Sequence, residues 1–225
     1  MSDTIFPHAN RRAVLSGGAA LALAGCGSLK DIVGPGAAPQ LYVLKPTMPQ
    51  TGTAPAVKWQ LSVATPQAAA NIDTTRIALS RSNTTMDYFA NASWTDRTPY
   101  LVQGIMVQAF ESTNKIVAVQ RDASGIGADY LLQTELRAFE AQYDPATLPP
   151  KDQKDAPSPP PKVVVQLEAK LMVVPEHKIL QSKVFTRETL AERNDLDAIV
   201  IAFNASISGV LQELTDWTLR APPIV

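Results

Sequence analysis

The run KVVVQLEAKLMVV, residues 162–174, most constrains the fold. Val163, Val165, Leu167, Ala169, Leu171 and Val173 alternate with Gln166, Glu168 and Lys170. A period of two over a dozen residues predicts a long strand with one buried face and one wet face, hence an antiparallel pairing. A second long candidate, ADYLLQTELRAFEAQY at 128–143, precedes it. The residues between them, 144–161, read DPATLPPKDQKDAPSPPP. Proline cannot donate to a strand ladder, so this polar stretch predicts a long, mobile hairpin connection. Shorter strands are expected at 41–45, 57–64, 76–80, 85–90 and 115–120, with Ser82-Asn83 as a turn, and another at 179–187 after the turn VPEHK.

Two stretches change period. From Thr98, expected as an N-cap with Pro99 at the first helical position, apolar residues at Leu101, Val102, Ile105, Met106, Ala109 and Phe110 line one helix face as far as the Ser112-Thr113-Asn114 cluster. Leu196, Ile199, Phe203, Ile207, Val210, Leu214 and Trp217 define a longer amphipathic helix that ends before Pro222-Pro223. The expected class is α+β: a mainly antiparallel sheet with two principal amphipathic helices packed on it, in a single domain after a cleaved signal peptide.

The N-terminus carries a different message. Arg11 and Arg12 precede Ala13–Ala24, an almost wholly Ala, Leu, Val and Gly run that is too short to span a bilayer and fits a secretory signal. Small residues then lead to Cys26, the single cysteine of the chain. Leu23-Ala24-Gly25-Cys26 resembles the bacterial lipobox. That resemblance implies cleavage between Gly25 and Cys26 and a covalent diacylglycerol and N-acyl lipid on Cys26. Several acyl chains on one residue hold a protein on a membrane where one chain does not. Residues 1–25 are therefore expected to be a cleaved signal peptide, 26–40 a flexible lipidated tether, and 41–225 the domain. Gly27 replaces the aspartate that retains enteric lipoproteins in the inner membrane, which implies the outer membrane. Asn10-Arg11-Arg12-Ala13-Val14-Leu15 is also loosely similar to a twin-arginine signal; an ordinary basic start is the other reading.

The full chain has a net charge of −1, and loss of Arg11, Arg12 and Asp3 with the signal leaves −2. No basic surface is indicated, so nucleic acid is not an expected partner. His177 is the sole histidine after the signal and lies in a turn signal, so neither a metal cage nor a catalytic triad assembles readily around it. No serine sits in a G-x-S-x-G elbow. ASGIG at 123–127 lacks the G-K-[ST] ending of a phosphate loop and reads as a turn. Asp195 and Asp197 open the last helix, where its dipole favours acids. No enzyme activity, cofactor or metal is expected.

Leu41-Tyr42-Val43-Leu44, YFANASW at 88–94 and ADYLLQTELRAFEAQYD at 128–144, behind a lipobox and a short tether, together resemble the ABC-type transport auxiliary lipoproteins, the PqiC-like group. The long proline-rich loop departs from that family's pattern. The resemblance implies an outer-membrane, periplasm-facing component of an MCE-type lipid transport system. Its implied partners are an MCE-domain protein, the ABC permease and ATPase, the membrane through its lipid anchor, and phospholipid. Two tasks are open: docking through a sheet edge or sheet end, and sheltering an acyl chain in a groove. Tyr88, Phe89, Trp94 and Tyr100 are candidate partner or lipid contacts, with Trp94 and Phe89 also readable as core. A different class of function, activation or scaffolding of a cell-wall synthase or other envelope machine, stands beside these. The 14-residue tether, residues 27–40, is short for reaching through a cell wall.

Overall fold

The computed structural model describes residues 38–50, 52–122, 127–150, 153, 156–174 and 176–222. The expected signal peptide, Gly25, Cys26 and nearly all of the expected tether lie outside these residues, as does most of ASGIG. From Pro39 onward the chain forms one compact unit. Its elements are β1 (Gln40–Tyr42), β2 (Gln60–Val63), β3 (Gln67–Ala68), β4 (Arg76–Ser82), β5 (Thr85–Trp94), α1 (Thr98–Ser112), β6 (Ala118–Arg121), β7 (Tyr130–Gln142), β8 (Lys162–Val173), β9 (Lys178–Leu190) and α2 (Leu196–Leu219).

The two long runs pair as expected. β7 and β8 form an antiparallel hairpin from Tyr130↔Val173 to Gln142↔Lys162, and β9 adds to the far side of β8, again antiparallel. Every apolar residue anticipated for the inner face of β8, Val163 through Val173, is buried. The opposite edge of β7 is tiled in parallel by β2, β3 and β4, one after another along its length. β2 carries β6 on its outer side, while β4 carries β5 and then β1. The nine-stranded sheet is thus mixed and forks beyond β7, with its longest ladders antiparallel.

A bulge between Leu136 and Ala138 changes the phase of β7. Before it, Tyr130, Leu132 and Leu136 point into the core; after it, Phe139, Ala141 and Tyr143 do. One extra residue must reverse the alternation, because side chains switch face at every step. Arg137 consequently sits on the wet face, where it pairs with Glu135 and Glu168, and Lys170 approaches Glu168 from the same side.

Both helices close one contiguous core. α1 packs against β2 and β6 through Val102, Ile105, Met106, Ala109 and Phe110, and the buried Gln103 donates from Nε2 to the Val63 carbonyl at 3.0 Å. Thr98 is not its cap. Arg97 holds the N-cap position without a side-chain hydrogen bond, and the Thr98 hydroxyl donates instead to the Thr74 carbonyl. α2 packs on β8 and β9 and touches α1. Its Asp195 cap accepts from the Ala198 amide at 2.9 Å. Among the described residues, α2 alone would suit a bilayer by length and composition, yet 61% of its apolar window is buried inside this domain, as in a core helix.

The first strand is shorter than the run LYVLK suggests. β1 pairs only with the last three residues of β5, and the chain beyond it turns to α2. There the amides of Lys45, Thr47 and Gln50 donate to Asn204 Oδ1, Ser208 Oγ and Gln212 Oε1. Residues four apart on a helix share one stripe, so α2 itself satisfies a backbone that a sheet would otherwise take.

Candidate functional site

The aromatic candidates separate into two kinds. Trp94 is 1% exposed and meets Phe203 and Phe139 edge-on, with ring centroids 5.2 and 5.9 Å away. It fills the core between β5, β7 and α2, and its surface is not offered to a partner. Phe89 is partly buried against the same core. Tyr88 lies half-buried, with Arg76 over its ring at 3.7 Å and its hydroxyl donating to the Asn71 carbonyl. Tyr100 is exposed near the start of α1, beside Arg97. The four therefore do not form one site.

A mixed surface lies along β1 and the first turns of α2. Leu41, Val43 and Ile201 are exposed apolar residues, 61%, 48% and 66% accessible. Tyr42 stands between the first two and hydrogen-bonds Asp197 near the start of α2; burial, and then the Asp197 carboxylate, push its phenol above the ordinary range. Asp195 is held below the usual carboxylate range, chiefly by the Ala198 amide and also by Arg193.

The long outer edge of the sheet is β9, a 13-residue strand that among the described residues pairs only with β8. On its helix side, Lys183 and Arg187 meet Glu213, and Phe185 packs edge-on against Trp217. Ile179, Val184 and Leu190 are exposed along it. Such an edge offers unpaired backbone groups to an incoming strand.

A third feature was not visible in the sequence. Asp144, Pro145 and Pro160, just beyond the paired ends of β7 and β8, and the tip of the β4–β5 hairpin bound a cleft of about 800 Å³. Asp144, Pro145 and Pro160 come from the loop, Ser82 and Thr85 from the hairpin, and Glu140 from β7. Glu140 is only 9% exposed. Its Oε1 accepts from Gln142 Nε2 at 2.8 Å, whereas Oε2 is buried with no hydrogen-bond partner. Beyond Ser82, Thr85 and Pro145, which line both, lies a second cleft of about 790 Å³ walled by Leu148, Pro149, Pro150 and Arg81. Leu148 also packs on the core, so the loop is less wholly solvated than its composition implies.

No cluster of three or more metal-binding side chains occurs among the described residues. His177 is exposed in its turn with φ 52°.

Comparison with known proteins agrees with the fold. The family model for the ABC-type transport auxiliary lipoprotein component matches residues 42–215. The crystal structure of protein XCC0632 from Xanthomonas campestris, assigned to the family DUF330, is similar with a TM-score of 0.71 at 29% identity, covering 80% of this chain and 94% of that one. A second crystal structure, of an uncharacterized protein, has a TM-score of 0.60 at 13% identity over 81% of this chain and 99% of that one, a likeness of fold alone. Protein bll6063 of Bradyrhizobium diazoefficiens, itself uncharacterized, is 26% identical over 86% of this chain; the match spans 49% of that relative's length. With the match running from β1 into α2, the chain belongs to the ABC-type transport auxiliary lipoprotein component family.

Proposed function

We propose that this chain is a non-enzymatic, lipid-anchored component of an ABC/MCE-type phospholipid transport system, docking the periplasmic MCE assembly at the outer membrane. Cys26 carries the acyl chains, and residues 27–40 give the domain a short leash. The observation that carries the docking role is the β9 edge: a long strand with one free side, exposed apolar residues and no competing partner among the described residues. An extended segment of the MCE assembly adds to it by strand pairing. Membrane anchoring confines both partners to one thin layer and raises their effective concentration, so a modest interface suffices. Membership of a family of auxiliary transport components supports a binding role over a catalytic one.

The test is affinity purification of the tagged, lipidated protein from gently solubilised membranes, with mass spectrometry of what accompanies it. Recovery of an MCE protein with the ABC permease and ATPase is the expected result. Reproducible recovery of a cell-wall synthase instead would keep the lipoprotein and overturn the transport role.

A further inference from the structure

Three of the large apolar side chains left exposed among the described residues lie along one rim of the domain. Leu41 and Val43 alternate with Tyr42 and Leu44, which turn toward the core. Ile201 stands on α2 between two ties to that same stretch. One turn before it, Asp197 meets the Tyr42 phenol; three residues after it, Asn204 Oδ1 accepts from the Lys45 amide at 2.7 Å. Farther along this face of α2, the backbone from Lys45 to Gln50 runs over Asn204, Ser208 and Gln212. Ile201 is thus left bare on a stripe where Asp197, Asn204, Ser208 and Gln212 are polar, as a helix face turned from the core ordinarily is. Single exposed apolar residues need no explanation, but three along one rim mark a contact surface.

The place of this rim in the chain selects its occupant. Only 14 residues separate Cys26 from Leu41. A chain of that length spans about 20 Å as a coil and at most about 50 Å fully extended. A protein acylated at Cys26 therefore keeps β1 within that distance of the bilayer, whereas β6, at the other end of the strand order, can stand farther off. Short linkers create effective concentrations in the millimolar range, so a contact too weak to hold a free protein is occupied in an anchored one. Charge neither drives nor prevents the approach. Arg193 meets Asp195 at 2.8 Å and Glu192 at 3.5 Å, Asp197 is engaged by Tyr42, and Lys45 follows at the other end of the stretch. With no basic excess, insertion of apolar side chains is the driving force, and zwitterionic lipid suffices.

We propose that the rim formed by Leu41, Val43 and Ile201 rests in the headgroup layer of the phospholipid bilayer that bears the anchor. Its side chains reach the boundary between headgroups and acyl chains, where amphipathic elements sit about 5–10 Å deep. One acylated residue on a tether lets a domain tumble. A second contact fixes its tilt, so that the β9 edge is presented in one direction instead of many. The inference rests on the proposed acylation of Cys26 and is independent of what β9 binds.

The experiment uses the lipidated full chain in vesicles of phosphatidylethanolamine and phosphatidylcholine. Ile201→Cys and, as a control beside β6, Val117→Cys are each labelled with a thiol-reactive nitrobenzoxadiazole dye; both positions are exposed, so the fold tolerates the label. Acylation consumes the Cys26 thiol, leaving one labelling site per variant. On floated vesicles the dye at 201 is expected to shift to the blue and to lose emission when the phosphatidylcholine carries a nitroxide high on its acyl chain, while the dye at 117 does neither. Adding Leu41→Glu to the Ile201→Cys chain should reduce that loss, because a carboxylate resists leaving water. Vesicle-bound protein whose two dyes behave alike would overturn the proposal and leave the anchor standing. A blue shift at 201 without quenching would place protein on the rim, either the N-terminal segment of this chain or a second copy, and would overturn the contact with lipid. Failure of the unlabelled wild-type chain to float, or reaction of its Cys26 with the dye, would overturn the anchor and with it the ground for this inference.

Discussion

Replacing Trp94 by alanine separates core packing from partner contact. The indole is 1% exposed and touches Phe139 and Phe203 edge-on. Removing a buried aromatic ring of this size costs about 3–5 kcal/mol in transfer energy and residual cavity, and the lost edge-to-face contacts are part of that sum. Domains of this size have roughly 5–15 kcal/mol in all, and each kcal/mol moves the midpoint by about 2–4 °C. Trp94→Ala should therefore melt about 6–20 °C below the wild-type chain, followed by circular dichroism on protein without its lipid. Tyr100→Ala, at 43% exposure, should change the midpoint by no more than about 4 °C, since exposed positions and exposed cation–π contacts are worth about 1 kcal/mol or less. A Trp94→Ala chain that melts within about 2 °C of wild type, well under the shift expected for a core aromatic, would refute the core assignment.

Other substitutions test neighbouring steps of the reasoning. A Cβ added at Gly209 would stand 2.8 Å from Arg187 Nε and 2.9 Å from its Cγ, so Gly209→Ala must displace a flexible side chain. The helix gains up to about 1 kcal/mol and the surface Arg187–Glu213 pair is worth up to about 1 kcal/mol, so the midpoint should stay within about 4 °C; a fall beyond about 10 °C would show that Arg187 cannot yield. Asp195 titrates lower in the fold than in the unfolded chain, chiefly because of the Ala198 amide. Its stabilisation is complete above the unfolded value near 3.8 and is lost as pH falls through the folded one. Asp195→Asn keeps a good cap without titrating, so its melting temperature should fall less steeply with acid than wild type; equal slopes would contradict the assignment. Cys26→Ser should accumulate as an unacylated precursor in membrane fractions, and a mature, acylated product of that variant would remove Cys26 from its proposed role.

The period of two in β8 and the period of three to four in α2 were legible because each element has one uninterrupted buried face. Their partners were harder to read. In β7 the apolar residues move from even to odd positions across Arg137, the trace of the bulge, but the shift is easily absorbed into one long strand. β3 is only two residues long and exists because β7 offers it an edge, so local propensity carries no sign of it. Thr98 has the chemistry of a cap, yet a carbonyl from the distant Thr74 competes for its hydroxyl. YFANASW reads as a cluster of aromatics in sequence, but strand geometry and the core divide Trp94 from Tyr88. Glu140 falls on the wet face by parity, yet it is only 9% exposed in the fold. Burial on the outer face of a strand leaves no local pattern to read.

The central claim is that a lipid-anchored domain holds an MCE assembly at a membrane. Liposome flotation tests it most directly: the lipidated protein is reconstituted into vesicles of outer-membrane phospholipids, and a purified MCE assembly is added. The account predicts that the assembly floats with vesicles bearing the lipidated protein and stays in the dense fraction when Cys26→Ser replaces it. An assembly that remains in the dense fraction with the lipidated protein present would contradict the docking role.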